Sequence, residues 1–178
     1  MQRTTASIRY AKALFKLALE RNASRDVLMD LMYVFRVLKT EQQLARVLSN
    51  PTVPKQTKKR VLKKIFKKHI NNITMNFIDF VISKGRELFL SDIISRYKDL
   101  HNEHNNISVI EIISAEEIET HLKDRIKEKV GSKQGGGVQI KEKLDKNLLG
   151  GIIIKRGDLQ YDASVRKKLN NAKRAFKL

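Results

Sequence analysis

The chain is 178 residues long, carries 37 Lys+Arg against 19 Asp+Glu for a net charge of +18, and contains no Cys, no Trp and only two Pro. Without cysteine there is no disulfide framework, zinc–thiolate site, thiol nucleophile or iron–sulfur cluster. Apolar runs such as Gly150–Ile154 are far too short to span a bilayer, and the opening MQRTTASIRY has no apolar stretch of secretory length, so a soluble intracellular protein of one domain or two small ones is expected.

The first part of the chain, to about residue 105, reads as six helices with short connections. The first covers 5–20, with Thr4 or Thr5 as N-cap. The second covers 24–39, with Ser24 as a possible cap and Leu28, Leu31, Met32, Phe35 and Leu38 on one face. A short third helix, 41–48, stops before Asn50-Pro51, because proline disfavours the helical conformation of its predecessor. The fourth spans 55–68 after Pro54, the fifth spans 73–84 and ends at Gly85 as a C-cap, and the sixth spans 87–104.

The character changes near 105, where Asn102, Asn105 and Asn106 interrupt the pattern. Residues 107–113 are rich in β-formers. Ser114-Ala115-Glu116-Glu117 fits a capping box, followed by a helix with Ile118, Leu122 and Ile126 at i, i+4, i+8. The 131–137 stretch GSKQGGG is a loop. Strands follow at Val138–Lys143 and Leu148–Lys155, then a hairpin turn at Arg156-Gly157-Asp158 into Leu159–Tyr161. Asp162 caps a last helix with Val165, Leu169, Ala172 and Phe176 in one stripe. The expected class is α+β: a six-helix N-terminal domain, 1–105, and a small C-terminal α/β domain, 106–178, in the order β-α-β-β-β-α.

The charge is concentrated. Residues 55–68 hold eight Lys/Arg and no acid, and residues 162–178 hold six Lys/Arg against Asp162. On the fourth helix Lys59, Lys63 and Lys67 repeat at i, i+4, as do Arg60, Lys64 and Lys68. Like charges at that spacing cost roughly 0.2–0.5 kcal/mol per pair. The pattern fits an acidic partner or a solvated basic face. Aromatic side chains for base stacking are sparse, with Phe66 alone in the patch and on its apolar side.

Two helices carry more apolar surface than a single buried stripe needs. On the first, Ile8, Ala11, Leu14, Phe15, Ala18 and Leu19, extended by Tyr10 and Leu17, cover an arc of about 200°. On the fifth, Ile73, Met75, Phe77, Ile78, Phe80, Val81 and Ile82 cover about 220° and leave Asn76, Asp79 and Ser83 as a narrow polar strip. Such helices are either central in a bundle or half exposed in a groove that takes a partner's amphipathic helix.

No catalytic constellation stands out. His101 and His104 lie at i, i+3 without a third ligand, Ser91, Asp99 and His101 share only a helix, and GSKQGGG lacks the terminal Gly-Lys-Ser/Thr of a phosphate-binding loop. The Gly150-Gly151 pair precedes a strand and suits close backbone packing or a bulge.

Three stretches together resemble one family. Arg9-Tyr10-Ala11-Lys12-Ala13-Leu14-Phe15 is similar to its opening motif, and Asn76-Phe77-Ile78 through Gly85-Arg86 to its fifth-helix pattern. Asp145 to Asp158, with Leu148, Gly150, Gly151 and Gly157, continues through Asp162, Ser164 and Val165 to Leu169 as its C-terminal signature. Asn50-Pro51, Ile112–Ala115 and the length also fit. The chain thus resembles the delta subunit family of the F-type ATP synthase, which includes the mitochondrial oligomycin sensitivity-conferring protein. The resemblance implies a non-catalytic stator subunit without cofactor or metal. It would join the catalytic head, through the alpha subunit's N-terminal helix, to the b subunits of the peripheral stalk, so that the head does not turn with the rotor. The alpha helix would lie between the first and fifth helices, on Tyr10, Ala13, Leu14, Leu17, Phe77, Phe80, Val81 and Lys84. The C-terminal domain would meet the stalk. Membrane association would be indirect, through the complex, at the cytoplasmic face of a bacterial inner membrane, with no nucleic-acid partner. The alternative is a basic RNA-binding accessory protein using the 55–68 and 162–178 patches. Peripheral contact with anionic lipid through the same charge is a third reading.

Overall fold

A computed structural model of the chain describes residues 5–131 and 137–175. Thr4, Phe176 and most of the 131–137 loop therefore lie outside the described residues. The fold is α+β, mostly helical with a small mixed sheet near the C-terminus. The chain divides into two compact units, Met1–His101 and Asn102–Leu178.

The first unit contains α1 (Thr5–Glu20), α2 (Ser24–Thr40), α3 (Gln42–Ser49), α4 (Lys55–Phe66), α5 (Asn72–Ser83), a 3₁₀ turn at Glu87–Phe89 and most of α6 (Leu90–His104). One apolar core joins them, with Leu14, Leu31, Leu62, Phe66, Ile78, Ile82, Ile93 and Tyr97 fully buried at its centre. The Tyr97 ring meets Phe15 edge-on at 5.5 Å, and its hydroxyl donates to the Ser24 carbonyl at 3.0 Å. That bond satisfies a polar atom which burial would otherwise penalise, and the same burial pushes the phenol's pKa up.

Local chemistry sets the helix ends. Asn71 caps α5 by accepting from the Ile73 amide at 3.1 Å, a cap missed in the sequence because Asn72 and Ile73 blur the start. Gly85, at φ +66, closes the same helix. Its amide donates to the Ile82 carbonyl and the Arg86 amide to Val81, the paired bonds of a Schellman motif. Ser24 is the first residue of α2 and not its cap; Ala23 holds that position without a side-chain bond.

The basic helix differs from expectation in what it does with its charge. Lys58 is buried, and its Nζ donates to the Leu48 carbonyl at 2.7 Å and to Glu87 Oε1 at 2.6 Å. It ties α4 to the end of α3 and to the turn before α6. Lys63 pairs with Asp79 at 3.1 Å, Lys59 donates to Ser83 Oγ at 2.5 Å, and Lys55 donates to the Ser83 carbonyl at 3.0 Å. The lysine row thus lies along the narrow polar strip of α5, which offsets its self-repulsion.

The second unit contains β1 (Ser108–Ser114), α7 (Thr120–Gly131), β2 (Val138–Leu144), a 3₁₀ turn at Lys146–Leu148, β3 (Ile152–Arg156), β4 (Leu159–Asp162) and α8 (Val165–Ala175). The sheet order is β2-β1-β3-β4, with β1 parallel to β2 and the other pairs antiparallel. Ile110 and Ile112 pack with Ile118 and Ile126 on one face, while Ile113, Leu148 and Ile153 form a smaller cluster.

Two sequence expectations fail here for physical reasons. Ser114 opens no capping box: it ends β1, and its buried hydroxyl donates to the Glu116 carbonyl at 2.6 Å, so α7 starts only at Thr120. Asp162 is not the cap of α8. It accepts from the Ser164 amide at 2.9 Å, and Ser164 Oγ then accepts from the Lys167 amide at 3.2 Å, which makes Ser164 the cap. On the last helix the apolar stripe is exposed at Val165 and Leu169.

Candidate functional site: the groove between α1 and α5

The surplus apolar arcs of α1 and α5 do two jobs at once. One side of each faces the core: Ala11, Leu14 and Ala18 on α1, and Ile78, Val81 and Ile82 on α5. The other side lines an open groove of about 510 Å³ whose walls include Tyr10, Ala13, Leu17, Ile73, Phe77 and Phe80. A second depression of about 390 Å³ shares Tyr10, Ala13 and Phe80 and adds Ala6, Arg9 and Arg86. The two are continuous. Ala6 and Arg9 share one end with Arg86, and Leu17 and Arg21 share the other with Asn72 and Ile73. The helices therefore run antiparallel. Sixteen residues of α1 give the groove a wall about 24 Å long.

Its floor is apolar and partly aromatic. The Tyr10 and Phe80 rings meet at 6.0 Å with a 53° tilt, bridging the two walls. Phe80 is 48% and Leu17 41% exposed, although both are large and apolar. Ala13, exposed between Tyr10 and Leu17 on α1, leaves room for a close backbone approach. Asn72 and Asn76 supply amides at one end, and Arg9, Arg21 and Arg86 stand along the rim. Among the described residues, no acidic side chain lines either depression.

The structure brings together Tyr10, Ala13, Leu17, Phe77 and Phe80 from the expected set. Leu14 and Val81 are corrected: both are core residues, turned away from the groove, and cannot touch a ligand in it. Lys84 lies just past α5 with Nζ 5.6 Å from the Phe80 ring, beside the groove and not lining it. Ala6, Arg9, Arg21, Asn72, Ile73, Asn76 and Arg86 were not assigned to the groove from sequence. Ile73 carried a signal, as part of the wide arc; the polar ones did not, because arginine and asparagine on a helix edge read as ordinary surface.

The C-terminal signature residues build turns. Asp145 accepts from the Asn147 amide at 3.0 Å and donates its own amide to the Ser114 carbonyl at 2.8 Å. Gly151 has φ +74, and a Cβ there would sit 2.4 Å from the Ala163 carbonyl oxygen. Gly157, at φ +56, makes the two-residue turn with Asp158 between β3 and β4. Asp162 lies in the turn before the Ser164 cap of α8, where the Ser164 hydroxyl and amide hold its carboxyl below its usual pKa. Among the described residues, no group of three or more His, Cys, Asp or Glu could hold a metal ion, and no helix is long and apolar enough to cross a membrane.

The family model for the ATP synthase delta (OSCP) subunit matches residues 6–176. The chain belongs to that family. It is 32% identical over 176 residues to the ATP synthase subunit delta of Carboxydothermus hydrogenoformans, covering 99% of both chains. It is 33% identical over 177 residues to that of Christiangramia forsetii, covering 99% of this chain and 96% of the relative. The fold is similar to a chain in the Toxoplasma gondii mitochondrial ATP synthase hexamer, with a TM-score of 0.79 at 18% identity over 98% of this chain and 99% of that one. Membership in the delta (OSCP) family makes the chain a subunit of an F-type ATP synthase, a membrane-associated complex, and of a structural kind and not the catalytic one.

Proposed function

We propose that this subunit is a stator: it joins the catalytic head to the peripheral stalk and keeps the head from following the rotor. The observation that carries the reading is the α1/α5 groove. It is long, apolar, lined by three large aromatic side chains, and has the dimensions of an amphipathic helix. Its occupant is the N-terminal helix of an alpha subunit. Residues 1–105 then serve the head and residues 106–178 the b subunits of the stalk. Two attachments on one complex reinforce each other through effective concentration, as resistance to torque requires. The subunit needs no cofactor, and it reaches the membrane, at its cytoplasmic face in a bacterium, only through its partners.

The basic charge does not favour the RNA reading. Lys58, Lys59 and Lys63 are engaged inside the first unit, so much of the 55–68 patch is committed to the fold. The test is purification from native-detergent extracts through a tag on this chain. Recovery of alpha, beta and b subunits, with this chain in single copy, is expected. Recovery of RNA or ribosomal proteins without alpha and b would overturn the reading.

A further inference from the structure

The last helix of the second unit stands in water on all sides. Every residue from Val165 to Arg174 is exposed. Its start is tied down: Ser164 caps it, the Val165 amide donates to the Gly150 carbonyl at 3.0 Å, and the Val165 side chain packs where Gly150 has no Cβ. Beyond that turn, eleven residues make only a marginal helix in water. Arg166, Lys167 and Lys168 also crowd the first turn, with no acid there, where the helix dipole disfavours cations. An anionic surface would offset both costs.

The charge is arranged around one apolar stripe. At about 100° per residue, Val165, Leu169 and Ala172 lie within roughly 60° of one another. Lys168 stands about 70° to one side of that stripe and Lys173 about 70° to the other. Lys167 and Arg174 lie opposite it, beside Asn170 and Asn171. The helix holds five Lys/Arg and no acid. The ammonium groups of Lys168 and Lys173 have no ion-pair or hydrogen-bond partner among the described residues.

We infer that α8 is an interfacial helix through which the free chain docks directly on an anionic phospholipid surface. High charge around one narrow apolar stripe is the pattern of helices that lie in the plane of a membrane interface. Val165 and Leu169 enter the boundary between headgroups and acyl chains. Lys168 and Lys173 lay their stems beside them and keep their ammonium groups at the phosphates. A protein groove would wall the helix from two sides, whereas cations on both flanks of the stripe fit a flat surface whose anionic layer overlies an apolar one. An RNA groove would meet the charge but leave Val165 and Leu169 without apolar contact. The stripe is small, so the attachment is weak and reversible. Within the assembled complex the chain reaches the membrane through its partners; before assembly it has this contact of its own. The inference does not rest on the stator reading.

The test sediments the purified full-length chain with vesicles of phosphatidylcholine and phosphatidylglycerol in equal parts, and with vesicles of phosphatidylcholine alone. Binding to the mixed vesicles that falls steeply with salt, and little binding to the neutral ones, is expected. Three double variants remove equal charge: Lys168→Gln/Lys173→Gln beside the stripe, Lys167→Gln/Arg174→Gln opposite it, and Arg60→Gln/Lys64→Gln on α4. The helix is about 10 Å across, close to the Debye length at physiological salt, so the far pair is largely screened. The first variant should weaken binding at least tenfold and the other two no more than about threefold. Leu169→Gln, which keeps the charge and a good helix former, should weaken it about fivefold. All these side chains are exposed, and an unchanged urea midpoint checks the fold. Equal weakening by the three double variants would mean that net charge alone drives binding and would overturn the inference. Equal binding to neutral vesicles, or binding to neither, would overturn it as well. Tighter binding to a duplex RNA, indifferent to Leu169→Gln, would assign the helix to nucleic acid and overturn it too. The alpha peptide titration tests the stator reading separately.

Discussion

The α1/α5 face of the first unit and the β3/β4 face of the second both leave large apolar side chains in water, but they do so differently. The groove has two walls, each also anchored in a large core through residues such as Leu14 and Val81. The sheet face has one wall, α7, and a core of only a few isoleucines beneath it. The difference teaches that two helices tied into a large core make a preformed groove, whereas a sheet face covered by one helix leaves its β3/β4 half open among the described residues. Binding at the groove should therefore change the stability of its unit little beyond the binding energy.

The largest effect should come from breaking the frame of the preformed side. Lys58→Ala removes a buried cation and strands Glu87 and the Leu48 carbonyl. A loss of roughly 3–5 kcal/mol is expected in urea unfolding of the first unit, and Lys58→Met/Glu87→Leu should recover much of it because both charges are gone.

On the other side, Gly151→Ala forces a Cβ against the Ala163 carbonyl at a left-handed position. It should cost the second unit about 3 kcal/mol. Gly157→Ala, with nothing within 4 Å of the added carbon, should cost only about 1–2 kcal/mol, the conformational term alone. Equal losses would show that the packing at Gly151 is looser than described.

Acid should separate the units next. Burial raises the Glu87 carboxyl, but the hydrogen bond and charge of Lys58, together with a backbone hydrogen bond, outweigh it and hold the pKa below the ordinary value. The folded state therefore prefers the ionised form. Its stabilising contribution is present above the ordinary carboxylate pKa and lost as pH falls through the lowered one. Glu87→Gln should flatten the acid limb of the first unit's urea midpoint plotted against pH. Asp162 is also lowered, by the Ser164 hydroxyl and amide, but it lies at the surface where solvent screens it, so Asp162→Asn should change the acid limb of the second unit less.

The smallest effect concerns the groove rim. Replacing Arg9, Arg21 and Arg86 one at a time with Gln should weaken an alpha peptide with acidic ends by a few-fold at low salt and hardly at all at high salt.

Much of this comparison was legible in the residues. The wide arcs on α1 and α5 showed surplus apolar surface but fitted central helices as well as a groove, and the groove is what the family resemblance implies. Neither the arcs nor the resemblance says which residues face the core, and Leu14 and Val81, expected in the groove beside Tyr10 and Phe80, are core residues. That choice depends on tertiary packing. The lysines of α4 read as free charge because their partners, Asp79 and Ser83 on α5 and Glu87 beyond it, are distant in sequence. Ser114 matched a capping pattern that strand pairing overrode. The bare β3/β4 face was not legible, since alternation along β3 and β4 looks the same whether or not a helix covers it.

The central claim is that the α1/α5 groove holds the alpha subunit's N-terminal helix. Calorimetric titration of a peptide of that helix into the wild-type chain and Tyr10→Asp tests it most directly. Saturable one-to-one binding to the wild type, weakened at least tenfold in a variant with an unchanged urea midpoint, is expected. Equal affinity for both would contradict the account.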